Sequence, residues 1–260
     1  MRSLSFDPLI TLYDETRTVD AYCFRAVLDT LVERFPAQQF PHLFEPGIGN
    51  GRIALPLAEI GYTVTGADIA TIMLRAGKRR AKELPVAWHQ ADVTRLPYAT
   101  AKFDLVVATH LFYFIRDWRQ TADELLRVVR SDGPIILMHT GSGAEIPALN
   151  ARYKALCAEY GCPIPTVGVQ STRDVVTYYE ALGCHSESWR DRWMWTARIG
   201  ADRALQHIQA RAYSFTTFAP DAIHQRVVKQ LTVELTQQHG DLRNTEIDVP
   251  NQIYMVIISR

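Results

Sequence analysis

Between about residues 40 and 140, short apolar runs alternate with amphipathic stretches, and that rhythm limits the chain to βαβ units around a parallel sheet. HLFEP at 42–46 reads as a first strand. A helix over 52–60 follows, with Ile53, Leu57 and Ile60 on one side and Pro56 early enough to be tolerated. TVTGAD at 63–68 is the second strand, 71–83 the next helix, and PVAWHQAD at 85–92 the third strand. The fourth strand, 103–109, is continuously apolar, as a strand buried on both faces requires. Asp117 caps a helix running to 130, Ser131-Asp132-Gly133-Pro134 turns the chain, and 135–140 is the fifth strand. This order predicts an α/β, doubly wound, mostly parallel sheet, which binds ligands at the carboxyl ends of its strands.

After Thr140 the rhythm changes. Helices are expected over 148–160 and 172–182, with a Pro/Gly-rich loop between them and a sixth strand near 184–190. A second helical insert follows, in which Ile223, Val227, Leu231 and Leu235 recur every four residues along one face. The chain closes with a seventh strand at 252–259. The expected organisation is a single domain, 1–260, with its ligand-binding core at 40–140. An N-terminal helical arm, 1–36, and inserts at 141–171 and 193–243 form a cap over it.

Lys plus Arg equals Asp plus Glu at 28 each, so the chain has no basic excess for a phosphate backbone. Its densest basic stretch, Lys78, Arg79, Arg80 and Lys82, reads as a solvated helix face, and no nucleic-acid partner is expected. No apolar run is long enough to cross a bilayer. The first residues, MRSLSFDPLITLYDE, lack the apolar stretch and cleavage site of a secretion signal, so the expected location is cytoplasmic. Cys23, Cys157, Cys162 and Cys184 form no CxxC pair and no ligand cluster, which gives reduced thiols and no metal. The chain is expected to be a monomer or a homodimer.

The chemistry concentrates in Glu45-Pro46-Gly47-Ile48-Gly49-Asn50-Gly51, between the first strand and its helix. Glycines there let backbone approach a ligand with no Cβ in the way. A dinucleotide fingerprint, GxGxxG, occupies the same place in NAD-binding proteins. Here the third glycine comes one residue early, Arg52 stands where it would be, and a carboxylate precedes the loop. That negative charge serves a diphosphate poorly. Asp68, at the end of the second strand, suits the two hydroxyls of a ribose; its alternative reading is a helix cap. Asp92 and Val93, ending the third strand, suit an adenine edge, with the carboxylate facing the amino group and the backbone N–H a ring nitrogen.

Together EPGIGNG, GADIATIML, QADVTRLP, FDLVVATHLFYF and ELLRVVRSDGPIIL resemble the class I S-adenosylmethionine-dependent methyltransferases, in their small-molecule, type 11-like branch. FDPLITLYDETR, HLFYFIRDW and RAYSFTTFAPD resemble a bacterial subgroup of that branch, largely without assigned substrates. The resemblance implies a Rossmann-like methyltransferase fold, S-adenosyl-L-methionine as cofactor with S-adenosyl-L-homocysteine as product, and O- or N-methylation of a small-molecule acceptor. It implies that Glu45, Gly47 and Gly49 line the methionine end, and that Asp68 holds the ribose. Ile69 would flank the adenine with Met73 nearby, Asp92 and Val93 would face its edge, and His110 would stand beside the sulfonium. Tyr13 and Arg17 resemble an arm closing over the cofactor, Arg17 being a candidate for its carboxylate. Ser131-Asp132-Gly133-Pro134 departs from the family's Pro-Gly-Gly, away from the catalytic edge.

Methyl transfer from a sulfonium is an in-line displacement that rests mainly on alignment; a base is needed only where the acceptor must lose a proton. His110 is the candidate base, or else a residue that shapes the pocket, and His139 is a weaker candidate. No NPPY-like motif follows the fourth strand, so methylation of nucleic-acid bases finds no support. Tyr113, Trp118, Trp193, Trp195, Tyr213 and Phe215 are candidates for an aromatic acceptor pocket or for core packing. Arg211, among aromatics in the cap, is a candidate for holding an acidic acceptor. Two competing readings remain: a regulatory module that binds the nucleoside without turnover, and an NAD-dependent oxidoreductase, which Arg52 disfavours.

Overall fold

Strand β4 (Leu105–Thr109) obtains the two-sided burial that its apolar sequence demands. Leu105 and Val107 enter one core cluster, Val106 and Ala108 another, the period-two alternation of a central strand covered on both faces. Around it the computed structural model, which describes residues 12–260, builds a seven-stranded sheet in the order β3-β2-β1-β4-β5-β7-β6. β1 (His42–Pro46), β2 (Thr63–Asp68), β3 (Val86–Gln90), β4 and β5 (Ile135–Thr140) are parallel. β7 (Glu246–Ser259) inserts antiparallel between β5 and β6 (His185–Gly200). The chain order reverses between β1 and β4, so their carboxyl ends flank the crevice where such sheets bind ligands.

Helices α1 (Ala21–Arg34) and α2 (Ala54–Ile60), together with Leu74 of α3 (Thr71–Ala81), bury apolar residues in one of these clusters. α4 (Trp118–Val128) and α6 (Thr172–Ala181) cover the other face. A third cluster lies apart from both. It joins α5 (Pro147–Glu159), α7 (Ala201–Gln209) and α8 (Asp221–His239) to Ala197 and Ile199 of β6 and Val249 of β7.

Several expectations need correction. The segment 1–36 is not one helical arm: its first eleven residues lie outside the described part, residues 12–17 form a 3-10 turn and bends, and α1 packs against the sheet. Asp20 caps α1 by accepting from the Cys23 N–H at 2.8 Å. The insert placed at 193–243 does not start as helix, because β6 continues to Gly200 and pairs with β7 as far as Glu246. The break in register between Trp189 and Trp193, with Asp191 at a φ of 58°, bends β6 where it leaves the sheet. The resulting ribbon carries the third cluster.

Candidate active site

The Gly47–Gly51 loop turns between β1 and α2 with φ of 72°, 55° and 82° at Gly47, Gly49 and Gly51. These left-handed values exclude most side chains. A Cβ on Gly51 would stand 2.6 Å from the Trp88 ring, and one on Gly47 2.9 Å from Leu111 Cδ1. The loop is held from β2: the Ala67 carbonyl accepts from the Gly47 N–H at 2.7 Å, and Asp68 Oδ2 from the Gly49 N–H at 2.8 Å. Asp68 Oδ1 accepts from the Ala70 N–H at 2.8 Å. Asp68 thus braces both the loop and the entry to α3 while lining the cavity beside them. The alternative reading, a brace at the start of the helix, is thus met by the Ala70 bond, and the place on the cavity wall leaves the ribose reading open to it as well.

That inner cavity is lined by Tyr13, Gly47, Gly49, Asp68, Ile69 and Met73, by Asp92 and Val93 after β3, and by Thr109 and His110 at the end of β4. Asp92 Oδ1 accepts from the N–H and hydroxyl of Thr94 at 2.9 and 2.8 Å, which fixes the carboxylate at the strand end. Residues 12–17 close over the loop. Asn50 Nδ2 donates to Asp14 Oδ1 at 2.8 Å, and the Ser142 hydroxyl donates to the Thr16 carbonyl at 2.8 Å. Arg17 lies over the Tyr13 ring, 5.0 Å from its centroid. Burial pushes the Tyr13 phenol up, so it stays protonated at neutral pH.

An outer cavity of about 490 Å³, a size suited to a small molecule, adjoins the first. The two share Tyr13, Gly47, Thr109, His110 and Phe114 as walls. Its further lining brings in Arg17, Glu45, Tyr113 and Tyr213 of the expected residues. Glu45 is 3% exposed, and its Oε2 is buried without a hydrogen-bond partner among the described residues. Burial pushes its carboxyl well above the usual range; the Arg52 guanidinium opposes this without cancelling it. Burial likewise pulls Arg52 down, against the fields of Tyr13 and Glu45.

His110 adopts a left-handed φ of 52° where β4 ends, and its own N–H donates to the Met138 carbonyl at 3.1 Å. Its Nε2 lies 2.9 Å from the Thr140 carbonyl, 3.0 Å from the Thr140 N–H and 3.0 Å from the Thr140 hydroxyl, and the tautomer decides whether it donates or accepts there. Arg52 donates to that same hydroxyl at 3.2 Å. Burial, then His139, Arg52 and Arg17, hold His110 well below the ordinary histidine value, so it is neutral at physiological pH. His139 packs 4.3 Å away, ring to ring, and stacks on Tyr254 at 4.8 Å; burial and Arg190 bring it down to about 4.

Arg211 is a correction. It donates to the Thr216 carbonyl and pairs with Asp221 at 2.8 Å, lining a separate groove with His224. Its charge is spent tying the turn after α7 to the start of α8. Among the expected aromatics, Trp193 is buried in the core beneath the sheet, whereas Tyr113, Tyr213 and Phe215 reach the outer cavity. Sequence reasoning missed Arg52, Thr140, Glu145 and Lys154 as lining residues. Arg52 carried a signal, a charged residue directly after the last glycine of the loop; the other three are assembled only by the fold.

The sequence profile of a family described as "Methyltransferase domain" matches residues 44–137. A protein of Mycobacterium tuberculosis is 36% identical over 89 residues, which make up 34% of this chain and 32% of that relative. The chain spans about a third of the length of this and two further curated relatives that it matches. The demethylmenaquinone methyltransferase of Beutenbergia cavernae is 27% identical over 236 residues, 89% of this chain and 91% of that enzyme. Among solved structures, the YcgJ protein of Bacillus subtilis superposes with a TM-score of 0.61 at 17% identity, over 91% of this chain and 99% of that one. This likeness is one of fold.

Proposed function

We propose that this chain, whose residues 44–137 match the methyltransferase domain family, is an S-adenosyl-L-methionine-dependent methyltransferase acting on a small molecule. The observation that carries this reading is the pair of cavities meeting at Tyr13, Gly47, Thr109, His110 and Phe114. A two-substrate displacement needs one site for each reactant and a shared wall where they touch.

The donor set fits the cofactor. The glycine loop leaves room for its methionine end, and Glu45, whose buried Oε2 lacks a partner among the described residues, suits the amino group. Arg17 on the outer cavity would take the carboxylate, and on the inner one Asp68 would hold the ribose and Asp92, Val93, Ile69 and Met73 the adenine. The bound cofactor supplies an activated methyl group on a sulfonium, so no activation step falls to the protein. The chain's own work is alignment and the exclusion of water, with Tyr13 and residues 12–17 closing one side. His110 meets the junction as a neutral imidazole. Nε2 is tied to the backbone and hydroxyl of Thr140, which fixes the ring at the junction, where it would act on the acceptor as a base or as a shaper of the pocket. No described helix is long and apolar enough to cross a membrane, in keeping with a small acceptor met in the cytoplasm.

The test is methyl transfer from cofactor labelled at the methyl group to a library of small hydroxyl, carboxyl and amine compounds. Label recovered in one chemical class, and lost in Asp68→Ala, supports the reading. A protein that binds S-adenosylhomocysteine but transfers label to nothing in the library would favour a regulatory nucleoside-binding module.

A further inference from the structure

The outer cavity holds an excess of cations. Arg17, Arg52 and Lys154 line it, against the carboxyl groups of Glu45 and Glu145. Among the described residues none of the three has a carboxylate within the 4.0 Å of an ion pair. Two other arginines of the cap are matched: Arg152 bonds both oxygens of Glu234 at 2.8 Å, and Arg211 pairs with Asp221. Glu145 accepts from Asn150 Nδ2 at 3.2 Å, and burial pushes its carboxyl up, as it does that of Glu45. Both acids are therefore biased toward the neutral form. The two histidines that line the cavity add none at neutral pH.

Lys154, on α5, stands over the Phe215 ring, 4.9 Å from its centroid. Phe215 in turn stacks on Tyr213 at 5.5 Å with the planes 6° apart. These rings give the cation an apolar floor. The amino end of α5 also opens here, since Pro147 lines the cavity and the N-cap, Ile146, has no side-chain cap bond. Its free N–H groups and dipole add to the positive potential. Arg17 would take the methionine carboxylate, and Arg52 donates to the Thr140 hydroxyl in the field of Glu45, which leaves Lys154, the α5 terminus and the ring pair to meet a further anion.

We propose that the methyl acceptor is an acid: a small molecule with a carboxylate held by Lys154 at the start of α5 and an apolar or aromatic body against Phe215 and Tyr213. This rests on the methyltransferase reading and gives its acceptor a chemical class. It also moves to Lys154 the role that the sequence suggested for Arg211. Lys154 is exposed at the wall of the cavity with its ammonium over an aromatic ring, where it gains from a charge-assisted bond to a carboxylate. Ammonium compounds are excluded by the same field.

The experiment uses the full chain saturated with S-adenosylhomocysteine and titrates in benzoate and 4-hydroxybenzoate, their amides, and benzylamine, by calorimetry. Carboxylates are expected to bind about tenfold or more tightly than their amides, and benzylamine not at all. The preference should shrink with added salt. Lys154→Gln should abolish the difference between acid and amide while leaving S-adenosylhomocysteine affinity unchanged, and Lys154→Glu should admit benzylamine. Amides or the amine binding as well as the acids, no acid binding, or a preference that survives Lys154→Gln would overturn the proposal. Failure of the wild-type chain to bind S-adenosylhomocysteine would instead remove the reading beneath it, and the proposal with it.

Discussion

At the residue scale, the site is built where local rules are broken. Gly51 and Gly49 share a left-handed backbone but differ in surroundings: a Cβ on Gly51 meets Trp88 at 2.6 Å, while one on Gly49 lies 3.4 Å from the flexible end of Met73. Gly49→Ala should thus cost about 1 kcal/mol of stability, mainly backbone strain, whereas Gly51→Ala should add overpacking of about 1–3 kcal/mol. Urea unfolding of both variants checks the order; equal losses would mean that Trp88 yields freely. His139 gives a pH test. Its value falls from 6.5 unfolded to about 4 folded, so the unfolded chain takes up the proton first. Its contribution is fully present above pH 6.5 and is lost as pH falls toward 4, by no more than about 3 kcal/mol. His139→Gln should flatten that decline in thermal unfolding curves, and an unchanged slope would show that His139 titrates normally. The glycines, Asp68 and Asp92 were legible in the sequence because strand-end positions follow from periodicity. The pairing of Arg211 with Asp221 was not, because it depends on how α7 and α8 meet.

At the element scale, the first five strands and the helices between them were readable because each is a short run with a single period. β6 and β7 were not: the sequence suggested strands ending near 190 and beginning near 252, yet both extend to Gly200 and from Glu246. Pro250 sits within β7, a residue that normally argues against a strand, and it is tolerated in this two-stranded ribbon. The ribbon supports α5 and α8, which Arg152 and Glu234 join by two hydrogen bonds of 2.8 Å. Those bonds bring the Glu234 carboxyl down to about 2 from 4.5. A depressed acid stabilises above its unfolded value and loses that contribution as pH falls from 4.5 toward 2. Glu234→Gln should lower the melting temperature slightly at pH 7, as a solvent-screened pair allows, and the gap should narrow by pH 3. A gap independent of pH would assign the loss to packing instead.

At the scale of the whole molecule, the crossover between β1 and β4 creates one crevice, and the ribbon swings the cap over it, so that two cavities share a wall. The inner cavity was visible in the sequence as a series of strand ends. The outer one was not, because Glu145, Lys154, Tyr213 and Phe215 come from separate inserts that only the ribbon brings together. The central claim is that the inner cavity takes S-adenosyl compounds. Calorimetric titration of the full chain with S-adenosylhomocysteine, and separately with NAD, tests it most directly. One equivalent of S-adenosylhomocysteine should bind, with affinity falling about tenfold or more in Asp68→Asn, which keeps the side chain's shape but loses a charged acceptor. At a hundredfold excess over the dissociation constant the same ligand should add about 2.7 kcal/mol, a melting shift of about 5 °C. Binding of NAD with none of S-adenosylhomocysteine would contradict the account.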